Sequence, residues 1–379
     1  MRHSRVKFNR IVSAVILFII IAAAAAPPAR ASNFKTIERW GKVVAPGIVY
    51  AHFRMTLNGM PLHAYVAKIS LGQPNLDIRP ILANNRLDSL ETVSSMARRT
   101  GAAVAINGSF FNRSSKEPFP VGFMMINGRT LYFSHTNRSA FGLTEQKIPL
   151  FGYPKTRGII YLEKTGEYFF LWGMNRKRRN NEPLVYTPEY GLRTNTNEYG
   201  REARVSGERV IGLEYGNSEI PNDGFVVSLH GDSGKYFGWF RRGDAVRLYF
   251  VVDPAWLDVH NAMTGGPMLL RGNECALEQS RDEHLYQGFR ARIPATAVGS
   301  TADGYLLFVV IDGRQRRFSV GVTYWELAQF MKSLGAINAI GMDGGGSSTM
   351  AINGEIVNRP SGGAPRAVSN AIGAFVNGR

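Results

Sequence analysis

The sequence predicts an α+β fold: a mixed, twisted β-sheet core with a few flanking helices, in a single large domain. Three observations carry this. Residues 43–82 alternate as strands do, and turn signals recur through the middle of the chain at Asn127-Gly128, Ser206-Gly207, Asn222-Asp223-Gly224 and Arg242-Gly243-Asp244. Two stretches, 88–100 and 323–334, combine helix caps with an apolar face. No linker or low-complexity segment divides the chain, and 379 residues at 44% hydrophobic and 20% charged suffice for a sizeable core.

The first thirty residues have their own logic. Arg2, Arg5, Lys7 and Arg10 form a basic region, 11–26 is an uncharged apolar run, Pro27-Pro28 breaks it, and Ala29-Arg30-Ala31 has the small-x-small pattern of a cleavage site. The run is short for a bilayer span of roughly 20 residues. Residues 1–31 are therefore expected to be a secretory signal removed before Ser32, with an uncleaved amino-terminal anchor as the alternative. No other segment is apolar and long enough to span a membrane, so no stable span is expected after cleavage.

Residues 32–42 read as a polar leader. Strands are expected at 49–53, 63–69 and 76–80, the first two joined by the hairpin turn Asn58-Gly59. Segment 32–87 is expected to pack as a strand-rich piece on a main domain of 88–379. In 88–100, Asp88 and Glu91 suggest a capping box and Gly101 a stop, before a short strand, 103–106, running into Asn107-Gly108. The same unit recurs later. Thr323 and Glu326 cap, Leu327, Phe330, Met331 and Leu334 make a face, Gly335 stops the helix, and strand 336–342 empties into Asp343 and three glycines. If the units are equivalent, Asn107 and Asp343 lie side by side at strand carboxyl ends, where α/β sheets usually bind ligands. The run Arg176-Lys177-Arg178-Arg179 reads as a solvated loop.

Charge narrows the partner. Lys and Arg number 45 against 29 Asp and Glu, a net charge of +16, and five of the basic residues lie in the expected signal, 1–31. The remaining excess suits an anionic partner, and secretion removes nucleic acid from the choice, leaving an envelope or extracellular target. The lone Cys275 excludes an intrachain disulfide, a multi-cysteine zinc site and an amino-terminal lipid attachment.

The densest chemistry is GMDGGGSSTM at 341–350. Three consecutive glycines are unfavourable in regular structure but suit a tight bend or close approach to a ligand, and their amides can form an anion nest. Asp343 enters this loop, and Ser347, Ser348 and Thr349 add hydroxyls. The spacing is neither a P-loop nor a nucleophile elbow. Further small-residue turns occur in AINGSFF, AMTGGPMLL and HGDSG, Asp312-Gly313-Arg314 closes an apolar strand, and Arg138 and Arg366 lie beside small residues. Arginine's rigid fork suits phosphate. The histidines show no metal-ligand spacing, no cofactor is required, and dependence on a divalent cation is left open.

The segments AINGSFF, RSAFG, GGPML, FVVIDGR, ELAQFMKSLGAINAIGMDGGGSSTM and NRPSGGAPRAVSN occur in the order found in phosphodiester glycosidases, the relatives of the lysosomal uncovering enzyme. From about residue 88 to the end the chain resembles that family, and its middle is similar to the bacterial branch associated with exopolysaccharide biosynthesis. Two departures stand out. The family carries Pro-Arg-Thr-Ala where this chain has Pro294-Ala295-Thr296-Ala297, leaving Arg292 as the nearest substitute, and Asn-Leu-Asp where it has Gly341-Met342-Asp343.

The resemblance implies a fold of phosphodiester glycosidase type, a hydrolase acting on a sugar-1-phosphodiester, and a phosphorylated or phosphodiester-linked glycan as partner. It points to Asp343 as the catalytic carboxylate, with Asp312 or Glu326 as a companion, and to Arg138, Arg314 and Arg366 as phosphate ligands. Asn107, Gly108, Thr264, Gly265, Gly266 and the loop Gly344, Gly345, Gly346, Ser347, Ser348 and Thr349 are the remaining substrate-binding candidates, Asn107 orienting a sugar hydroxyl or the attacking water. The alternatives are a non-catalytic envelope glycan-binding protein, or an exopolysaccharide-processing protein on the same fold.

Overall fold

The computed structural model describes residues 32–113, 118–283 and 285–376; the expected signal, 1–31, lies outside the described residues. Strand alternation in the sequence becomes a hairpin of Ile48–Leu57 and Met60–Ser70, with Leu57 opposite Met60. Its turn residues Asn58 and Gly59 have φ of 51° and 82°. Both are left-handed, as a two-residue hairpin of the favoured twist demands.

Segment 32–87, expected as a strand-rich segment packing on the main domain, contributes strands that pair with later parts of the chain. Met60–Ser70 pairs antiparallel with Tyr305–Ile311, setting Ala67 opposite Phe308. Leu76–Leu82 pairs with Asn370–Val376, setting Ile78 opposite Ala374. The expected polar leader is also a strand, Phe34–Ala45, at the edge of the sheet against Ile48–Leu57. Most of its residues are exposed on both faces, so burial imposed no alternation that the sequence would reveal.

Eight strands form one antiparallel sheet, with Ala336–Gly341 between Ala295–Thr301 and Met268–Arg271. Strand Tyr305–Ile311 runs through it with apolar packing on both faces. Leu306, Phe308 and Val310 enter one cluster, and Leu307, Val309 and Ile311 another. A continuous apolar run is what a strand buried on both sides requires. A five-stranded sheet sets Val104–Asn107 between Met350–Ile352 and Asn370–Val376. A ten-stranded sheet is mixed, because Gly173–Met174 pairs in parallel with Leu184–Tyr186.

The α-helices among the described residues are short: Val93–Thr100, Tyr286–Arg290 and Tyr324–Ser333. The last has the expected capping box of Thr323 and Glu326, and Gly335 follows its cap at φ 88°. The first begins later than expected, with Thr92 as its cap. Asp88 pairs with Arg86, while Glu91 binds Arg99 and the Asn84 amide and belongs to a short strand against Ala367–Val368. The basic run at 176–179 is only half solvated. Arg176 folds back on Glu182 at 2.8 Å and Arg178 on Ser228 at 2.7 Å, leaving Lys177 and Arg179 exposed.

Candidate functional site

Two strand ends meet where the recurring units predicted. Asn107, fully buried, donates from Nδ2 to the Asp343 carbonyl at 2.6 Å, and the Asp343 amide donates to the Gly108 carbonyl at 3.1 Å. Asn107 Oδ1 accepts from Thr296 Oγ1 at 2.8 Å and from the Thr349 amide at 3.1 Å. Both polar atoms of Asn107 thus serve the backbone around Asp343, and it fixes that residue's position instead of orienting a sugar hydroxyl or water. Gly108 is a contact point for a neighbouring chain segment: a Cβ there would lie 2.1 Å from Asn370 Oδ1.

The chemistry gathers around the Asp343 carboxylate. Burial pushes its pKa up to about 6, against the opposing effects of the Ser347 hydroxyl, Arg366, Arg113 and the Gly344 amide. Arg366 donates to Ser347 Oγ at 3.2 Å and packs over Gly346, where a Cβ would lie 2.1 Å from its Nη2. Arg314 sits at φ 60°, in the left-handed region, with its guanidinium 3.3 Å from where a Gly345 Cβ would be. Held backbone strain of this kind is common at functional sites. Arg366 also feels the charges of Arg113 and Arg314, which with burial pull its pKa down while Asp343 opposes them.

Arg138 reaches the same place from the other side. Burial pulls its pKa down, and Glu283, Tyr324 and Asp343 support its charge. Its guanidinium lies 4.7 Å from the Phe110 ring centre, and among the described residues its buried Nη1 has no hydrogen-bond partner. The Ser348 and Thr349 hydroxyls are likewise buried without a partner among the described residues. An unmet buried donor costs about 1–3 kcal/mol, which an anionic or hydroxylated ligand would relieve.

The remaining predicted residues have their polar groups committed to the fold. Asp312 is 1% exposed and accepts from Asn358 Nδ2 at 2.9 Å, the Arg359 amide at 2.9 Å and the Tyr65 hydroxyl. It anchors the loop after strand Tyr305–Ile311 and is no companion carboxylate for Asp343. Glu326 is occupied too: it caps its own helix and holds Arg292 with bonds of 3.0 and 3.1 Å. That contact also removes Arg292 as a substitute for the missing family arginine. Ala295, at the position of that arginine, is buried in the apolar cluster with Ile293 and Val322, whereas Thr296 on the next turn of the pleat faces Asn107.

Thr264 exchanges bonds with the Phe123 backbone, the Gly265 amide donates to Ser139 and the Gly266 amide to Gly341. These three lock strands together. In the glycine loop the Ser347 and Ser348 amides donate to the Gly344 and Gly345 carbonyls within a 3-10 turn, and the Gly345 and Thr349 amides donate outward to the Pro294 carbonyl and Asn107 Oδ1, so the segment is not an open nest. The loop's contribution is close approach and hydroxyls.

Sequence reasoning missed Arg113, Tyr324 and Glu283. Arg113 lies two residues beyond AINGSFF, and its proximity to an expected site turn was a usable signal. Tyr324 is buried, and its phenol pKa is pushed up by burial and by Asp343. Glu283 accepts from the Ser139 amide and hydroxyl, the Tyr153 hydroxyl and the Met268 amide, and lies against Gly266. Nothing local in the sequence distinguishes either residue. Among the described residues, no three His, Cys, Asp or Glu side chains gather as a metal-ligating group.

The solved structure of a hypothetical protein from Synechocystis shares the fold, with a TM-score of 0.79 at 24% identity over 90% of this chain and 64% of that one. The zebrafish N-acetylglucosamine-1-phosphodiester alpha-N-acetylglucosaminidase catalytic domain, auto-inhibited by its pro-peptide, aligns at a TM-score of 0.50 and 15% identity over 90% of this chain and 88% of that one. The mouse protein of that name is 31% identical over 156 residues, which cover 38% of this chain and 30% of the mouse protein. The chain thus matches less than a third of that relative's length. The loop of Asp343 and the arginines Arg314 and Arg366 all fall within residues 199–375, which match the model of the phosphodiester glycosidase family.

Proposed function

We propose that the protein is a hydrolase that cleaves the bond between a sugar's anomeric carbon and a phosphodiester, in a phosphoglycan of the envelope or extracellular space. The observation that carries this reading is an Asp343 carboxylate whose charge is felt by Arg113, Arg138 and Arg366, with Arg314 acting in turn on Arg366 and packed against Gly345. Phosphate leaves readily, so proton donation to the leaving group is less necessary than in ordinary glycoside hydrolysis. What the reaction needs is cationic stabilisation of the departing phosphate and negative charge beside an oxocarbenium-like centre. The arginines supply the first and ionised Asp343 the second. On this reading Tyr324 and the Ser348 and Thr349 hydroxyls, which have no partner among the described residues, bond sugar or phosphate oxygens. Glu283, held by four donors, supports the charge of Arg138.

Among the described residues no helix is long and apolar enough to cross a membrane. Secretion rests on the composition of residues 1–31. The test is incubation of the purified protein with a sugar-1-phosphodiester. Release of reducing sugar and a phosphomonoester is expected. Tight binding without turnover would instead support a non-catalytic glycan-binding protein.

A further inference from the structure

Arg138 has a second side. It lines a cavity of about 440 Å³ whose walls also carry His135, Tyr153, Lys155, Thr156 and Arg157 and include no carboxylate. Two polar atoms in that wall are buried and unpartnered among the described residues, Arg138 Nη1 and Thr156 Oγ1. Thr156 itself is 9% exposed, so its hydroxyl is enclosed by protein and aims at nothing the fold supplies. A second cavity of about 570 Å³ shares Ser134, His135 and Thr136 with the first and adds the exposed cations Lys177 and Arg179. The two adjoin along Ser134, His135 and Thr136 as one basic depression, in which Glu182 of the second wall is paired with Arg176.

Aromatic rings border this depression. Trp172 lines the second cavity, is 52% exposed and meets His135 edge-on at 5.9 Å. Phe170, 45% exposed, carries Arg157 at 5.6 Å over its ring, and Tyr168, 56% exposed, meets Phe170 at 5.9 Å. The three lie at alternate positions along Tyr168–Leu171 and the residue after it, so the pleat sends them all to one face. The next strands add Tyr161 and Tyr249 to that face, with rings 6.4 Å apart. Singly exposed aromatics are ordinary; a contiguous row next to a cationic cavity marks a binding surface. Flat rings with polar edges suit the apolar faces of sugar rings, and an enclosed guanidinium and hydroxyl suit phosphate oxygens.

We propose that the cavity and the aromatic row form an accessory track for a phosphate-bearing glycan polymer. One phosphate of the chain, not the one being cleaved, sits on Thr156 Oγ1 with Lys155 and Arg157 at the entrance, and shares Arg138 with the phosphate being cleaved. Sugar rings beyond it lie on Trp172 and Phe170. The phosphate identity rests on the phosphodiester reading of the Asp343 site; the track itself is read from its own residues. The substrate class is then a polymer with repeated anionic groups, in place of an isolated diester.

The test is equilibrium binding of the full chain to phosphate-substituted dextran, to unmodified dextran and to phosphatidylglycerol vesicles. Phosphodextran is expected to bind at least tenfold tighter than dextran. The pairs Phe170→Ser with Trp172→Ser and Lys155→Ala with Arg157→Ala are each expected to weaken phosphodextran binding about tenfold. These positions are exposed, so melting temperatures should stay near that of the unaltered protein and show that the variants fold. Equal binding of dextran and phosphodextran, phosphodextran affinity unchanged in both folded double variants, or binding to vesicles alone would each overturn the proposal. Because the assay needs no turnover, failure to cleave a small diester would count against the cleavage reading only.

Discussion

Replacing Asp343 by Asn separates the two things the carboxylate does. Its pKa of about 6, against an ordinary 3.8, means the folded protein holds a proton there more tightly than the unfolded chain does. Such a group loses stability as pH rises from about 4 to about 6, after which the loss is complete. Two pKa units correspond to about 3 kcal/mol. An amide of the same shape removes that penalty, so Asp343→Asn is expected to raise the melting temperature at pH 7.5 by about 4 °C for a chain of this size. The gain should vanish near pH 4, where the native acid is already neutral. Turnover of a sugar-1-phosphodiester should meanwhile fall about a hundredfold or more, and in the unaltered protein it should rise with pH through about 6. The paired measurement is calorimetry and initial rates across pH 4 to 8. A variant that is less stable at pH 7.5 would show that Asp343 serves chiefly as a counter-ion for the arginines, refuting the argument that burial dominates.

Other substitutions isolate neighbouring roles. Asn107→Ala strands the Asp343 carbonyl and Thr349 amide, and is expected to lower stability by about 2–4 kcal/mol in denaturant titration and to reduce kcat. Glu326→Gln removes the carboxylate that caps its helix and holds Arg292; stability should fall by about 1–2 kcal/mol with kcat unchanged, and a large loss of kcat would restore Glu326 as a catalytic candidate. Gly346→Ala brings a methyl against the Arg366 guanidinium, so KM for the diester should rise with little change in melting temperature.

Much of the fold was legible because burial writes itself into sequence. The hairpin at Asn58-Gly59, the capped helix after Thr323 and the doubly buried strand Tyr305–Ile311 all have local signatures. Strand Phe34–Ala45 has none, since neither face is systematically buried. The first helix was misread at its start because Glu91 answers to Arg99, Asn84 and a pairing with Val368 that is remote in sequence.

The sequence by itself determined that Asp343 lies in a glycine-rich loop at a strand end, with arginines available nearby in the chain. Local propensity and spacing are enough for that. Only the tertiary structure decided which polar groups remain free. Asp312, Glu326 and Asn107 carry the right chemistry but are used up by partners 46, 34 and 236 residues away. Tyr324, which opens a helix, acts electrostatically on Asp343, and Glu283 acts on Arg138, through packing of segments remote in sequence. Availability of a side chain for a ligand is set by long-range pairing, and no local pattern encodes it.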